Sequence, residues 1–126
     1  MDLILEYIET IKEIDDLNET GLDNRKKVKR NNTLADRIRS IASEIDSVQP
    51  EMKPHFSQLL FHDEESVRIW SAHHILEVMN YDVECRAMAL KQIEYIATHY
   101  ENTNGFGNKI WLRQWLNDHP EDTELL

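Results

Sequence analysis

Residues 59–76 read Leu59-Leu60-Phe61-His62-Asp63-Glu64-Glu65-Ser66-Val67-Arg68-Ile69-Trp70-Ser71-Ala72-His73-His74-Ile75-Leu76. An apolar helix ends, a short polar turn follows, and a second helix opens with Val67-Arg68. Asp63 is the candidate N-cap, because a carboxylate there accepts bonds from the amides that follow. One turn on come two small residues, Ser71 and Ala72, and then two large aliphatics, Ile75 and Leu76. Small side chains let a neighbouring helix approach closely, and aliphatics fill the groove beside it. Val67, Trp70, Ser71, His74 and Val78 share one stripe with Ile75 beside it, while Ala72, Leu76 and Met79 lie on an adjacent flank. A helix over Glu65–Met79 that is apolar on more than one flank is an interior helix.

The flanking chain has the same helical period. Leu3, Ile4, Tyr7, Ile8, Ile11 and Ile14 make a stripe on a first helix from about Asp2 to Leu17, with Asp2, Glu6, Glu9, Glu13 and Asp16 opposite. That acidic side reads as a solvated outer face or as a docking strip for a basic partner. Gly21 is the expected C-terminal cap. A second helix runs from Asp23 or Asn24 to Ser47 and buries Val28, Leu34, Ile38, Ile41, Ala42 and Ile45. Its first turns crowd Arg25, Lys26, Lys27, Lys29 and Arg30, the wrong sign for a helix N-terminus. Pairing with acids of the first helix across the short turn compensates for that. Pro50 fits an early helical position and Pro54 resets the helix start, in a short helix over roughly Glu51–Phe61 that buries Met52, Phe56, Leu59 and Leu60. Beyond the Asn80-Tyr81-Asp82 turn, a helix over Val83–His99 turns Cys85, Ala89, Leu90, Ile93, Ile96 and Ala97 inward. Glu101–Asn108, with Gly105 and Gly107 around Phe106, reads as a loop. A last helix, Asn108–Asn117, presents Ile110, Trp111, Leu112, Trp115 and Leu116, and Pro120 with an acidic tail ends the fold.

At 126 residues this is one domain, able to form a core without disulfides or a structural metal. Hydrophobic residues at 40%, charged residues at 30%, three Gly and three Pro describe a globular, all-α chain rather than a disordered one. The single Cys85 fits a reducing compartment. Met1 leads straight into an amphipathic pattern, and no run approaches about 18 apolar residues, so a cytoplasmic location and no membrane contact are expected. The net charge of −10 is uneven: residues 1–20 carry −6, residues 21–40 carry +5 and the remainder −9. Such a balance disfavours nucleic acid over most of the surface and favours a cationic protein partner.

The Leu-Leu, polar turn with Asp, Val-Arg and small-residue pattern of 59–72 resembles the helical unit of HEAT repeats. The order from Asn24 to Leu116 adds Asn31, Asn32 and Asp36, a Glu44-Ile45 helix end, and Cys85-Arg86-Ala87-Met88-Ala89-Leu90-Lys91-Gln92-Ile93. That order is similar to a family of small bacterial HEAT-like domains, some of which sit among toxin and immunity genes. The likeness spans about three quarters of the chain, and its motifs are structural. It departs from the family at Ser71-Ala72, where members often have Ala-Ala, and at His73-His74. The resemblance implies a short right-handed HEAT-like superhelix of about six helices in three antiparallel pairs, over 1–48, 50–79 and 82–117, with 118–126 as the acidic tail. Three pairs meet the minimum at which stacked repeats bury a continuous core.

Chemistry-bearing residues are sparse. His62, His73 and His74 cluster with Asp63, Glu64 and Glu77, and a His-carboxylate metalloenzyme is the weakest alternative. A metal site needs three or four converging ligands. HEAT-repeat hydroxylases that hold two irons use repeated His-Glu dipeptides, and this chain has none. The blander expectation is a buried His74 with one hydrogen bond and His73 at an edge. Cys85 reads as a small core residue, and the glycines around Phe106 lack the Lys and Ser/Thr of a phosphate loop. Trp70, Trp111 and Trp115 read first as core and second as partner anchors. The expected function is therefore a non-enzymatic protein-binding module, an immunity or adaptor protein for a basic partner such as a toxin domain, with no cofactor. Its expected contact surface is the exposed edge of the second helix of each pair, with Arg68, His73, Glu77, Lys109 and Arg113 as the first residues to test. Nucleic-acid binding through Arg25, Lys26, Lys27, Lys29 and Arg30 is the alternative; no aromatics interleave that stretch to support single-strand stacking.

Overall fold

A computed structural model describes residues 2–126. Six α-helices and three short 3-10 segments make up the fold, and the described residues contain no strand. Helix α1 (Leu3–Thr20) is capped by Asp2, whose carboxylate accepts from the amides of Ile4 and Leu5 at 3.0 and 3.2 Å. It buries Leu3, Tyr7, Ile11 and Ile14 and stops at Gly21, whose φ of 92° suits a residue without a Cβ. Asn24 caps α2 (Arg25–Ser47), which buries Leu34, Ile38, Ile41, Ala42 and Ile45. Val28, expected on that stripe, is exposed. At about 100° per residue it lies roughly 120° around the helix from Leu34, off the buried face. The two helices run antiparallel: Glu13 pairs with Arg30 and, seven residues earlier, Glu6 pairs with Arg37, seven residues later.

The Glu51–Phe61 segment is not one helix. It divides into a 3-10 turn (Pro50–Met52), α3 (Lys53–Ser57) and a second 3-10 turn (Gln58–Phe61), and it buries Phe56, Leu59 and Leu60. Two prolines in five residues remove the donors that a continuous first turn would use. Helix α4 (Glu65–Glu77) follows, ending two residues before the expected Met79. Asp63 does not cap it. Glu64 holds the N-cap position without a side-chain bond, and the free carbonyls of His62 and Asp63 instead accept from the Arg68 guanidinium.

Asp82 caps α5 (Val83–His99) by accepting from the Cys85 amide at 2.9 Å, and the six inward residues are those the periodicity named. The expected loop 101–108 is mostly helix, because α6 spans Thr103–Asp118 with Asn102 as N-cap. Gly105 is a packing glycine here: a Cβ at that position would fall on the Tyr100 carbonyl. The acidic C-terminus also folds back. Pro120–Leu125 forms a 3-10 segment that buries Asp122 against Arg86 (2.6 Å) and the Trp115 indole N–H (2.9 Å).

One continuous core joins buried residues of α1, α2, α3, α4 and α5, and Trp111, Leu112 and Trp115 of α6 pack against it. The helix with small and aliphatic residues on several faces, α4, touches α1, α2, α3 and α5, which makes it the hub. Among the described residues no helix is long and apolar enough to cross a membrane.

Candidate binding cleft

Residues Ser66, Ile69, Trp70, His73 and Glu77 recur every three or four positions along α4, so one face of the hub helix forms a floor. Ile14, Asp15 and Asn18 of α1 and Arg39 of α2 form one wall, and Asn102, Thr103, Asn104 and Asn108 at the start of α6 form the other. The cleft between them has a volume of about 870 Å³.

A chain of polar contacts crosses it. The Arg39 guanidinium lies 3.7 Å from one Glu77 oxygen, and the other Glu77 oxygen lies 3.3 Å from His73 Nδ1. His73 Nε2 is 2.7 Å from Asn108 Oδ1, and Asn108 Nδ2 donates to the Asn104 carbonyl at 2.8 Å. Because the Asn108 amide is oriented by that carbonyl, its oxygen faces His73 and the imidazole donates from Nε2. A hydrogen bond from His73 Nδ1, which requires a proton on that nitrogen as well as on Nε2, holds the Glu77 carboxyl below the usual carboxylate range, with Arg39 adding to the effect. The His73 ring also stands edge-on to Trp111, with centroids 4.4 Å apart. Across the cleft, Ser66 donates to Asp15 at 2.6 Å, tying α4 to α1.

Beneath the floor, the buried His74 Nδ1 and the Tyr7 hydroxyl share a hydrogen bond of 2.6 Å. Burial lowers the His74 pKa from 6.5 to about 4, and burial also raises the Tyr7 pKa well above its ordinary value. The imidazole is neutral and structural at neutral pH. Both histidines of the pair are thus engaged with other side chains. Thr103 and Asn104, by contrast, make no side-chain hydrogen bond among the described residues and leave polar groups free on the rim.

The five expected contact residues do not form one surface. His73 and Glu77 meet in the cleft, whereas Lys109 and Arg113 are exposed on α6 outside its lining. Arg68 lies at a different groove with its guanidinium on the 62–63 carbonyls. In the basic stretch, Lys27 pairs with Asp23 and Arg30 with Glu13. Arg25, Lys26 and Lys29 are exposed and form no ion pair among the described residues. Cys85 is buried, and burial pushes its thiol pKa up, away from the reactive range. No three His, Cys, Asp or Glu side chains converge among the described residues.

Sequence reasoning missed Asp15, Arg39, Asn102, Thr103, Asn104 and Asn108. The one signal available was the i,i+4 spacing of Asn104 and Asn108, which has meaning only once α6 is known to begin at Thr103. No family model matches the chain, and no curated protein or solved structure matches it either.

Proposed function

We propose that this chain is a non-enzymatic protein-binding module, a bacterial immunity or adaptor protein that receives a basic segment of its partner in the α1–α2–α4–α6 cleft. In this reading the helices form three antiparallel pairs in a short right-handed HEAT-like stack. The pairs are α1 with α2, the 50–61 segment with α4, and α5 with α6, and the second helix of each pair, together with the end of α1, supplies the contact face. The observation that carries the reading is the cleft itself: four helices converge on a half-buried tryptophan floor, Trp70, with carboxylates of Asp15 and Glu77 on its sides. An aromatic floor offers apolar contact, free amides and hydroxyls take main-chain hydrogen bonds, and the carboxylates select for cations. The engagement of His73 by Asn108 and of His74 by Tyr7 supports a binding role over acid–base chemistry. The −10 charge would speed encounter with a basic partner. A cytoplasmic location belongs to the same proposal.

The test is capture of a partner by the intact protein at low salt, followed by titration of the purified pair. The expected result is one basic protein whose affinity falls at least tenfold between 50 and 300 mM salt, on the order expected for several screened charge pairs. Glu77→Lys or Asp15→Lys should cost a similar factor. An acidic partner, or affinity indifferent to both substitutions, ends the reading.

A second reading has one observation in its favour: Arg25, Lys26 and Lys29 are exposed and free of ion pairs among the described residues. Nucleic acid bound there would be released by Lys26→Glu with Lys29→Glu, in a filter-binding assay at near-physiological salt. Arg30 and Lys27, already paired, would contribute less.

A further inference from the structure

A second groove lies between the 58–61 turn, the first turns of α4, and α5. It shares no residue with the cleft: its lining is Leu60, Phe61, Arg68, Met88, Lys91, Gln92 and Tyr95, around a volume of about 420 Å³. Three large apolar side chains stand in solvent there, with Phe61 64%, Tyr95 49% and Met88 40% exposed. Met88 and Tyr95 are seven residues apart, so they sit two turns apart on one face of α5. Tyr95 is held in place, its ring stacked on His99 at 4.1 Å and edge-on to Tyr100. Gln92 donates to the Leu60 carbonyl and ties α5 to the 58–61 turn under the groove. Aromatic residues, Met and Arg are the types enriched at the centres of protein interfaces.

The charge of the lining says what covers it. Three other clefts on the surface carry carboxylates: Asp15 and Glu77 in the first, Glu6, Glu9 and Glu13 in another, Asp36, Glu44 and Glu77 in a third. The 58–61 groove is lined by two cations, Arg68 and Lys91, and no carboxylate. Lys91 forms no ion pair among the described residues, and Arg68 uses one guanidinium nitrogen on the 62–63 carbonyls. Asp63, Glu64, Glu65 and Glu94, the acids nearest in sequence, do not line it, and the Glu65 carboxylate is taken up by the Tyr100 hydroxyl beside it. At physiological salt the screening length is about 8 Å, so these two local cations rather than the net charge govern a docked segment. We propose that this groove is a docking site for an acidic amphipathic helix of another protein. The helix would place large apolar side chains between Phe61, Met88 and Tyr95 and turn carboxylates to Lys91 and Arg68. The site is independent of the cleft and of the basic partner assigned to it.

Fluorescence anisotropy tests this with a labelled 16-residue helical peptide carrying Leu and Phe on one face and Glu on the others, and a twin with Lys for every Glu. The Glu peptide should bind the full chain at least tenfold tighter than its twin. Phe61→Ala and Tyr95→Ala should each weaken it about tenfold, Lys91→Glu should abolish or invert the preference, and Glu77→Lys in the cleft should leave it unchanged. All four positions are on the surface, and circular dichroism with thermal melting establishes that each variant is folded. Equal binding of the two peptides overturns the proposal, as does insensitivity to Phe61, Tyr95 and Lys91. Two other occupants would also overturn it: a dimer of this chain seen by light scattering and lost in Phe61→Ala, or phosphatidylserine vesicles bound through the same residues.

Discussion

The two ends of the molecule hold their helices together with the same chemical groups placed in opposite surroundings. At the N-terminal end, α1 and α2 are joined by Arg37 to Glu6 (2.6 Å) and Arg30 to Glu13 (2.7 Å), with the side chains between 23% and 54% exposed. At the C-terminal end, Arg86 meets Asp122 at the same 2.6 Å, but the Asp122 side chain is only 6% exposed. It also accepts from Trp115, whose ring is stacked between Trp111 and His119 at 5.1 and 3.8 Å. Distance therefore does not rank these contacts. In water each exposed pair contributes at most about 1 kcal/mol, whereas breaking a desolvated pair strands a charge and costs about 3–5 kcal/mol. The N-terminal pair is held by its apolar stripe and ornamented with charge, while the C-terminal segment adds a buried carboxylate to the packing of Leu125 against the core.

The largest expected effect tests that contrast directly. Asp122→Ala should lower stability by about 3 kcal/mol, toward the lower bound because Arg86 retains partial access to water. Urea denaturation measures it, and a loss no larger than that of Arg37→Ala would remove the contrast. The joint between the first helix and the hub should give a comparable effect through pH. His74 titrates at 6.5 unfolded and about 4 folded, so as pH falls below 6.5 the unfolded chain takes up the proton first. Stability should be intact above that point, decline by about 3 kcal/mol toward pH 4, and lose nothing further through this group. His74→Phe should flatten that limb of the stability–pH curve. Gly105→Ala should cost about 2 kcal/mol by overpacking α6 against the Tyr100 backbone, while Gly107→Ala, with open space around it, should be neutral or stabilising. Smallest of all, Arg37→Ala should cost below about 1 kcal/mol, and the cost should vanish in high salt.

Gly105 also shows where reading the chain in one dimension reaches its end. Two glycines near an aromatic carry the composition of a loop, and the same two glycines within a helix carry the composition of a close approach. Nothing local separates them, because the deciding atom is the Tyr100 carbonyl. Asp122 is similar. In a run of acids after a proline it has the pattern of a solvated tail, and only Arg86, 36 residues back, makes it a buried partner. Asp63 failed as a cap because α4 begins at Glu65, which puts Glu64 rather than Asp63 at the N-cap position.

What the linear order did determine is the set of helices and most of their inward faces. Helical period, capping residues and turn residues act over three or four positions, and that is the range over which a chain can be read locally. Leu3 to Ile14, Leu34 to Ile45 and Cys85 to Ala97 were all legible in this way. The cleft was not, since it brings Asp15, Arg39, Glu77 and Asn108 together from four helices. Which polar residues face one another depends on how closely and at what angle the helices cross. Small residues on the hub, a missing Cβ at position 105 and the core they enclose set that crossing, and these are properties of packed volume rather than of order along the chain.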